Sequence, residues 1–246
     1  VGFVIGGLAM VAVVAAMFFA GISGAAAADT AAVGAVSIPA MIRKGYHKGF
    51  AAAVQAAGGS IGVIIPPSIP MIIYGVVGGV SIGKMFLGGF IPGALIGGSL
   101  IVVSYFLAKR AGYERDAFRG FKVIGQTFIG AFWALLMPLI ILGGILGGVF
   151  TPTEAAVVAA VYGAFVGFVI YRELKIRELP RIFAKAAIST STVMLLIATA
   201  NIFGWILTAE QVPQNVANYL VGLTSSPVVL YALILVCLLV IGTFME

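Results

Sequence analysis

Apolar positions along this chain fall in blocks rather than alternating with polar ones. Near-continuous apolar runs occupy residues 2–20, 86–108, 128–149, 153–171, 187–208 and 228–244. A helix crosses a bilayer with about 17–25 such residues. Residues 30–41 form a shorter piece, roughly 18 Å long as a helix and too short to cross. One further block, near 50–79, contains Gly58-Gly59-Ser60-Ile61-Gly62-Val63-Ile64-Ile65-Pro66-Pro67-Ser68-Ile69-Pro70. Pro66 cannot donate to the Gly62 carbonyl, nor Pro67 to that of Val63, and each proline disfavours helix in the residue before it. The expectation is a discontinuous helix over 50–80.

The two apolar pieces at the start are joined by Gly21-Ile22-Ser23-Gly24-Ala25-Ala26-Ala27-Ala28-Asp29. Small residues with one serine and one carboxylate predict the tip of a re-entrant hairpin over 1–42, both ends on one side. Residues 85–185 predict membrane helices with a basic amphipathic surface helix at 112–127, where Tyr113, Phe118 and Phe121 alternate with Glu114, Arg115, Asp116, Arg119 and Lys122. Thr151-Pro152-Thr153-Glu154 reads as a helix start with a capping box. Gln211-Val212-Pro213 breaks the chain before the last apolar run.

Composition agrees: the chain is 62% hydrophobic and 9% charged. It is an all-α polytopic membrane protein. Its net charge of +6 comes from loop placement, not from a nucleic-acid surface. Of the 14 basic residues, 13 lie in loops 43–48, 109–122 and 172–185, and an even number of crossings separates each cluster from the next. The positive-inside rule puts these loops in the cytoplasm. Lys84 alone lies on the opposite face. Val1 opens inside an apolar run with no basic leader and Glu246 directly follows one, so the expectation is a segment of a longer protein. Cys237 reads as inert packing, Trp133 and Trp205 as interfacial or packing residues, and His47 as solvated. Asn201 and Ser189–Thr192 read as helix–helix hydrogen-bonding groups.

Carbonyls that lose their donors at a helix break are ready ligands for a hard cation, and such breaks carry the ion and substrate sites of secondary transporters. Here they are Gly62, Val63 and Ile65. Ser23 can add a hydroxyl, with Ser60 and Ser68 as further local candidates. The half-helix that follows would offer free N–H groups and a positive dipole end to an anion. Asp29 is either a functional intramembrane carboxylate or the cap of a helix over 30–41. Glu154 reads as a cap. No hydrolase, zinc or nucleotide-binding motif is present, so the protein is not an enzyme and no cofactor is expected. Two other classes compete: a non-transporting membrane scaffold whose prolines only shape packing, and a channel.

Several motifs together resemble one family. Ser23-Gly24, Ala28-Asp29-Thr30-Ala31-Ala32-Val33, Ile64-Ile65-Pro66-Pro67-Ser68-Ile69-Pro70, Gly89-Phe90-Ile91-Pro92-Gly93 and Phe150-Thr151-Pro152-Thr153-Glu154-Ala155 are similar to the large membrane (M) subunit of TRAP, tripartite ATP-independent periplasmic, transporters of the DctM type. The resemblance implies a bacterial or archaeal inner-membrane protein with an ion-transporter-type elevator fold of re-entrant hairpins and discontinuous helices. It implies sodium-driven uptake of a carboxylate, such as a dicarboxylate or a sugar or keto acid. The partners it implies are a small membrane subunit (Q), a periplasmic substrate-binding protein (P) and membrane lipid. Carried onto this chain, the sodium ligands would be Ser23, Gly62, Ile65 and Pro67. Asp29, Ser60, Ser68 and Glu246 remain substrate or gating candidates. Residues 187–246 would begin a second repeat and enter a second hairpin. Ala25 stands where many members have a second tip serine, Glu246 where an aspartate is usual, and Ala209 where some sialic acid transporters carry arginine.

Overall fold

Prolines and glycines divide the chain into helices where the apolar pattern does not. The computed structural model describes residues 4–113, 115, 121–224 and 226–244, except for the side chains of 121–124 and 244. Every regular element among them is helical. The chain divides into two units, Val1–Leu174 and Lys175–Glu246.

In the first unit, α1 (Gly7–Ser23) and α2 (Ala26–Arg43) form a hairpin. At roughly 25–27 Å each, neither arm covers a hydrocarbon core of about 30 Å. Gly24 ends α1 in the left-handed conformation, φ 64°, with its N–H on the Ala20 carbonyl at 3.1 Å. Glycine adopts that conformation without a Cβ penalty. The second arm begins four residues earlier than the sequence suggests. Ala26–Ala28 are the best of helix formers, and Asp29 sits inside the first turn, not ahead of it, where the helix dipole favours negative charge.

The discontinuous helix follows. Its first half, α3 (Lys48–Gly59), tightens into a 3₁₀ turn at Ser60–Val63, and α4 (Ile69–Val77) resumes beyond the Pro66–Pro67 cis peptide. His47 is not merely solvated: it caps α3, its ring Nδ1 accepting the Gly49 N–H at 3.2 Å. Among the described residues, four helices are long and apolar enough to cross a membrane: Ile82–Arg110, Gly125–Leu146, Pro152–Ile170 and Ile176–Ala209. The first is α5, and the second lies within α6 (Phe121–Leu146). The third is α7 (Pro152–Phe165) with the π turn Val166–Ile170.

The buried core joins Ala9, Ala12 and Val13 of α1 to Met41, Tyr46, Ala51, Val54 and Ile61. Small residues let these helices approach closely, as membrane packing requires. The Tyr162 hydroxyl donates to the Trp133 carbonyl at 2.7 Å and that of Tyr171 to Gly130 at 2.8 Å, tying α7 to α6. The expected capping box is present: Thr151 N–H donates to Glu154 Oε2 at 2.8 Å, and Glu154 N–H to Thr151 Oγ1 at 3.3 Å.

The surface helix expected over 112–127 rests in part on residues that lie outside the described set. Residues 121–127 already belong to α6, and Glu114, Asp116 and Phe118 lie outside the described set. Tyr113 stacks on Tyr46 at 4.1 Å, and its hydroxyl accepts the His47 N–H at 3.0 Å.

The second unit holds α8 (Leu179–Ala209), α9 (Val212–Leu223) and α10 (Pro227–Phe244), with no buried residue among those described. The Thr192 hydroxyl bonds back to Ile188 of its own helix at 2.9 Å rather than to another helix.

Candidate functional site

The hairpin tip meets the proline break directly. Gly24 donates no side chain here; its carbonyl accepts the Ile69 N–H at 3.1 Å. A Cβ on Gly24 would stand only 2.6 Å from the Pro67 carbonyl oxygen, so the tip closes on the break only because this residue is glycine.

Three of the expected carbonyl ligands lose their helical donors at this junction, each for a different reason. The Ile65 N–H turns back to Ile61 at 3.0 Å and Pro66 has none, so Gly62 is left without its i+3 and i+4 donors. Ile65 loses its i+4 donor because the Ile69 N–H goes to the tip. Pro67 loses its own because the Met71 N–H is aimed at the Ser68 hydroxyl, 3.4 Å away. Val63, expected to be free as well, is not: the Ser68 hydroxyl donates to its carbonyl at 2.7 Å.

Ser68 is therefore the cap of α4, fully buried and with its only hydroxyl proton committed. That leaves it no proton for a solute. The expected free N–H groups at the start of α4 are also spoken for. Ile69 donates to Gly24, Pro70 has no N–H, Met71 donates to Ser68 Oγ, and Ile72 donates to the Ser68 carbonyl at 3.0 Å. The dipole of α4 remains, but its first-turn donors do not form an anion cradle.

Ser23 and Asp29 form the other wall. The Ser23 hydroxyl donates to Asp29 Oδ1 and accepts the Ala25 N–H at 3.2 Å. Asp29 is fully buried. Its Oδ2 has no hydrogen-bond partner among the described residues and faces Gly62, where any Cβ would overlap the carboxylate. Asp29 is thus not a backbone cap but a buried carboxylate between tip and break. Ser60 stays apart: it is exposed and bonds back to Ala57 at 2.8 Å. Glu246 lies outside the described residues.

Behind the break is a cavity of about 390 Å³ lined by apolar side chains, among them Met17, Phe18, Ile65, Phe90 and Pro138. It offers a cation or an anion no partner, so the polar side of the junction is the tip side.

Two residues of the same helices were not singled out from sequence. Gln55 of α3 is 1% exposed, and its Oε1 accepts the Ser37 hydroxyl of α2 at 2.7 Å. The available signal was a lone amide inside the small-residue run 51–59.

The family model described as "Tripartite ATP-independent periplasmic transporter, DctM component" matches residues 1–246. The chain belongs to this family. It is 46% identical, over 98% of its length, to "Isethionate TRAP transporter permease protein DctMQ" of Oleidesulfovibrio alaskensis, covering 38% of that protein. It is 42% identical to "C4-dicarboxylate TRAP transporter large permease protein DctM" of Pseudomonas aeruginosa, over 100% of the chain and 58% of the relative. It is 41% identical to "Sialic acid TRAP transporter large permease protein SiaM" of Vibrio cholerae, over 100% of the chain and 58% of the relative. The chain thus spans less than two thirds of each of these proteins. Each of these relatives is named as a permease protein of a TRAP transporter.

Proposed function

We propose that this chain carries the first ion-binding half of a sodium-driven permease that imports an organic acid. A small membrane subunit would accompany it, and a periplasmic binding protein would deliver the cargo. The loops 43–48, 109–122 and 172–185 would face the cytoplasm, following their positive charge.

The observation that carries this reading is the junction of tip and break. The carbonyls of Gly62, Ile65 and Pro67 lack helical donors there, beside the Ser23 hydroxyl and an unpartnered oxygen of buried Asp29. Oxygen donors with one buried negative charge suit a hard monovalent cation, and leaving them empty in hydrocarbon is costly. A cation at this point would draw the tip onto the break and offset the Asp29 charge. An anion could then approach without facing an uncompensated carboxylate, which gives sodium-first coupling. Because the α4 donors are occupied, the anion must be held largely by groups outside this junction.

The names of the relatives include a sulfonate, a dicarboxylate and a sugar acid at 41–46% identity. The proposed cargo is therefore an organic acid anion as a class. Uptake into proteoliposomes by the full-length protein with its partners tests the proposal. Accumulation should require an inward sodium gradient and saturate with substrate. Accumulation unchanged when potassium replaces sodium rejects it, and non-saturating flux would indicate a channel.

A further inference from the structure

The second hairpin arm and the first half of the broken helix meet along one smooth seam. A Cβ on Gly62 would overlap Asp29, and one on Gly59 would overlap Thr30. One on Gly34 would come within 3.0 Å of Gln55 Cγ. Residues 62, 59 and 55 of one strand of the seam therefore face 29, 30 and 34–37 of the other, with backbones close throughout. Lipid supplies no hydrophobic force to fix the relative height of two such helices. Sliding by one residue shifts one helix against the other by about 1.5 Å. That is enough to move Ser23 and Asp29 out of line with Gly62.

One polar contact interrupts the seam. The Ser37 hydroxyl donates to Gln55 Oε1 at 2.7 Å, while Gln55 Nε2 is buried without a partner among the described residues. An orphaned amide group is a cost that an apolar side chain of similar size would avoid. Packing alone therefore does not account for glutamine at this position. A buried polar contact in a closely packed helix interface has a known use: it sets register at some expense of stability.

We propose that Ser37 and Gln55 form a register lock between α2 and α3. Both are positioning residues: they touch neither ion nor cargo and act by holding Ser23 and Asp29 level with Gly62. The transport readout rests on the proposed sodium site, whereas the register itself does not.

The test uses the full-length transporter with its partner subunits in proteoliposomes. It compares Gln55→Leu, Ser37→Ala, Ser37→Thr and the double variant Ser37→Ala/Gln55→Leu. The sodium half-saturation of uptake should rise about 3- to 30-fold in Gln55→Leu and Ser37→Ala, the equivalent of about 0.6–2 kcal/mol for an interhelical hydrogen bond in a membrane. Substrate half-saturation at saturating sodium should stay within about twofold of the parent, a limit set inside the tenfold that 1.4 kcal/mol represents. Ser37→Thr keeps the hydroxyl and should keep the parent sodium response. The double variant should match the single ones, since all remove the same bond.

Amide hydrogen exchange should quicken in residues 26–43 and 48–59 of Gln55→Leu and Ser37→Ala, and not in α7. Unchanged sodium half-saturation with unchanged exchange overturns the lock, as does an additive double variant. A fall in uptake that only follows the amount of folded protein also overturns it. If Gln55→Leu fails to fold, Ser37→Ala against Ser37→Thr decides. Where the parent itself ignores sodium, the sodium reading fails, and exchange alone decides the lock.

Discussion

Gly24→Ala puts the contact between tip and break under direct strain. The added Cβ would lie 2.6 Å from the Pro67 carbonyl oxygen and 3.2 Å from the Ile69 nitrogen. Carbon–oxygen contacts settle at about 3.3–3.6 Å, so the tip must retreat by roughly 0.7–1 Å. The Gly24 carbonyl holds the Ile69 N–H at 3.1 Å. The same retreat takes that pair to roughly 4 Å, beyond a hydrogen bond. Losing the bond costs about 0.5–1.5 kcal/mol, and the overpacking that the retreat relieves only in part costs about 1–3 kcal/mol. Together they disfavour the docked tip by about 2 kcal/mol or more, about 30-fold in an equilibrium constant. The left-handed backbone adds about 1–2 kcal/mol for a residue with a Cβ, but it weighs on docked and undocked tips alike and enters overall stability only. Gly24→Asn separates the two effects, because asparagine tolerates that backbone while still carrying the Cβ. The assay is sodium titration of uptake by the full-length transporter, with thermal unfolding measured in parallel. Both variants should raise the sodium half-saturation by about 30-fold, while Gly24→Asn unfolds closer to the parent. Half-saturation within about twofold of the parent in both folded variants, far under the factor expected, would refute the reasoning.

Three further substitutions probe separate parts of the account. Gly62→Ala drives a methyl group into the Asp29 carboxylate and should abolish sodium-dependent uptake while the protein still inserts and folds; retained sodium-dependent uptake would show that Asp29 and Gly62 need not meet. Ser68→Ala removes the α4 cap and strands the half-buried Val63 carbonyl, so stability should fall by about 2–4 kcal/mol. Hydrogen exchange should quicken at Ile69, Met71 and Ile72, and an unchanged melting curve would contradict the bonding described for Ser68. Thr151→Ala breaks the α7 capping box and should cost about 0.5–2 kcal/mol of stability. It should leave the sodium half-saturation where it was, and a clear shift there would show that α7 belongs to the ion site.

The discontinuous helix was legible because proline chemistry is local: a missing N–H at 66 and 67 takes the helical donors from Gly62 and Val63 in any context. The capping box at Thr151–Glu154 was legible for the same reason. What was not legible depended on which group reaches which across space. The Ser68 hydroxyl lies five residues from Val63 in sequence, and only the course of the chain around the prolines brings it to that carbonyl. The Ile69 N–H could have helped bind an anion, but the tip claims it from 45 residues away. The sequence left Asp29 as either a functional carboxylate or a cap, because short polar residues also precede helices, and the alanines before it extend the helix past it. Gln55 carried no motif at all; its weight comes from its burial and from Ser37 opposite.

A high-resolution map of the intact transporter, prepared in sodium and again in potassium, tests the central claim most directly. The account predicts a monovalent-cation density in sodium alone, held by the carbonyls of Gly62, Ile65 and Pro67 and by Ser23, with the tip closed on the break. Sodium-driven uptake together with an empty junction in sodium, or an unbroken hydrogen-bonded helix through residues 60–70, would contradict it.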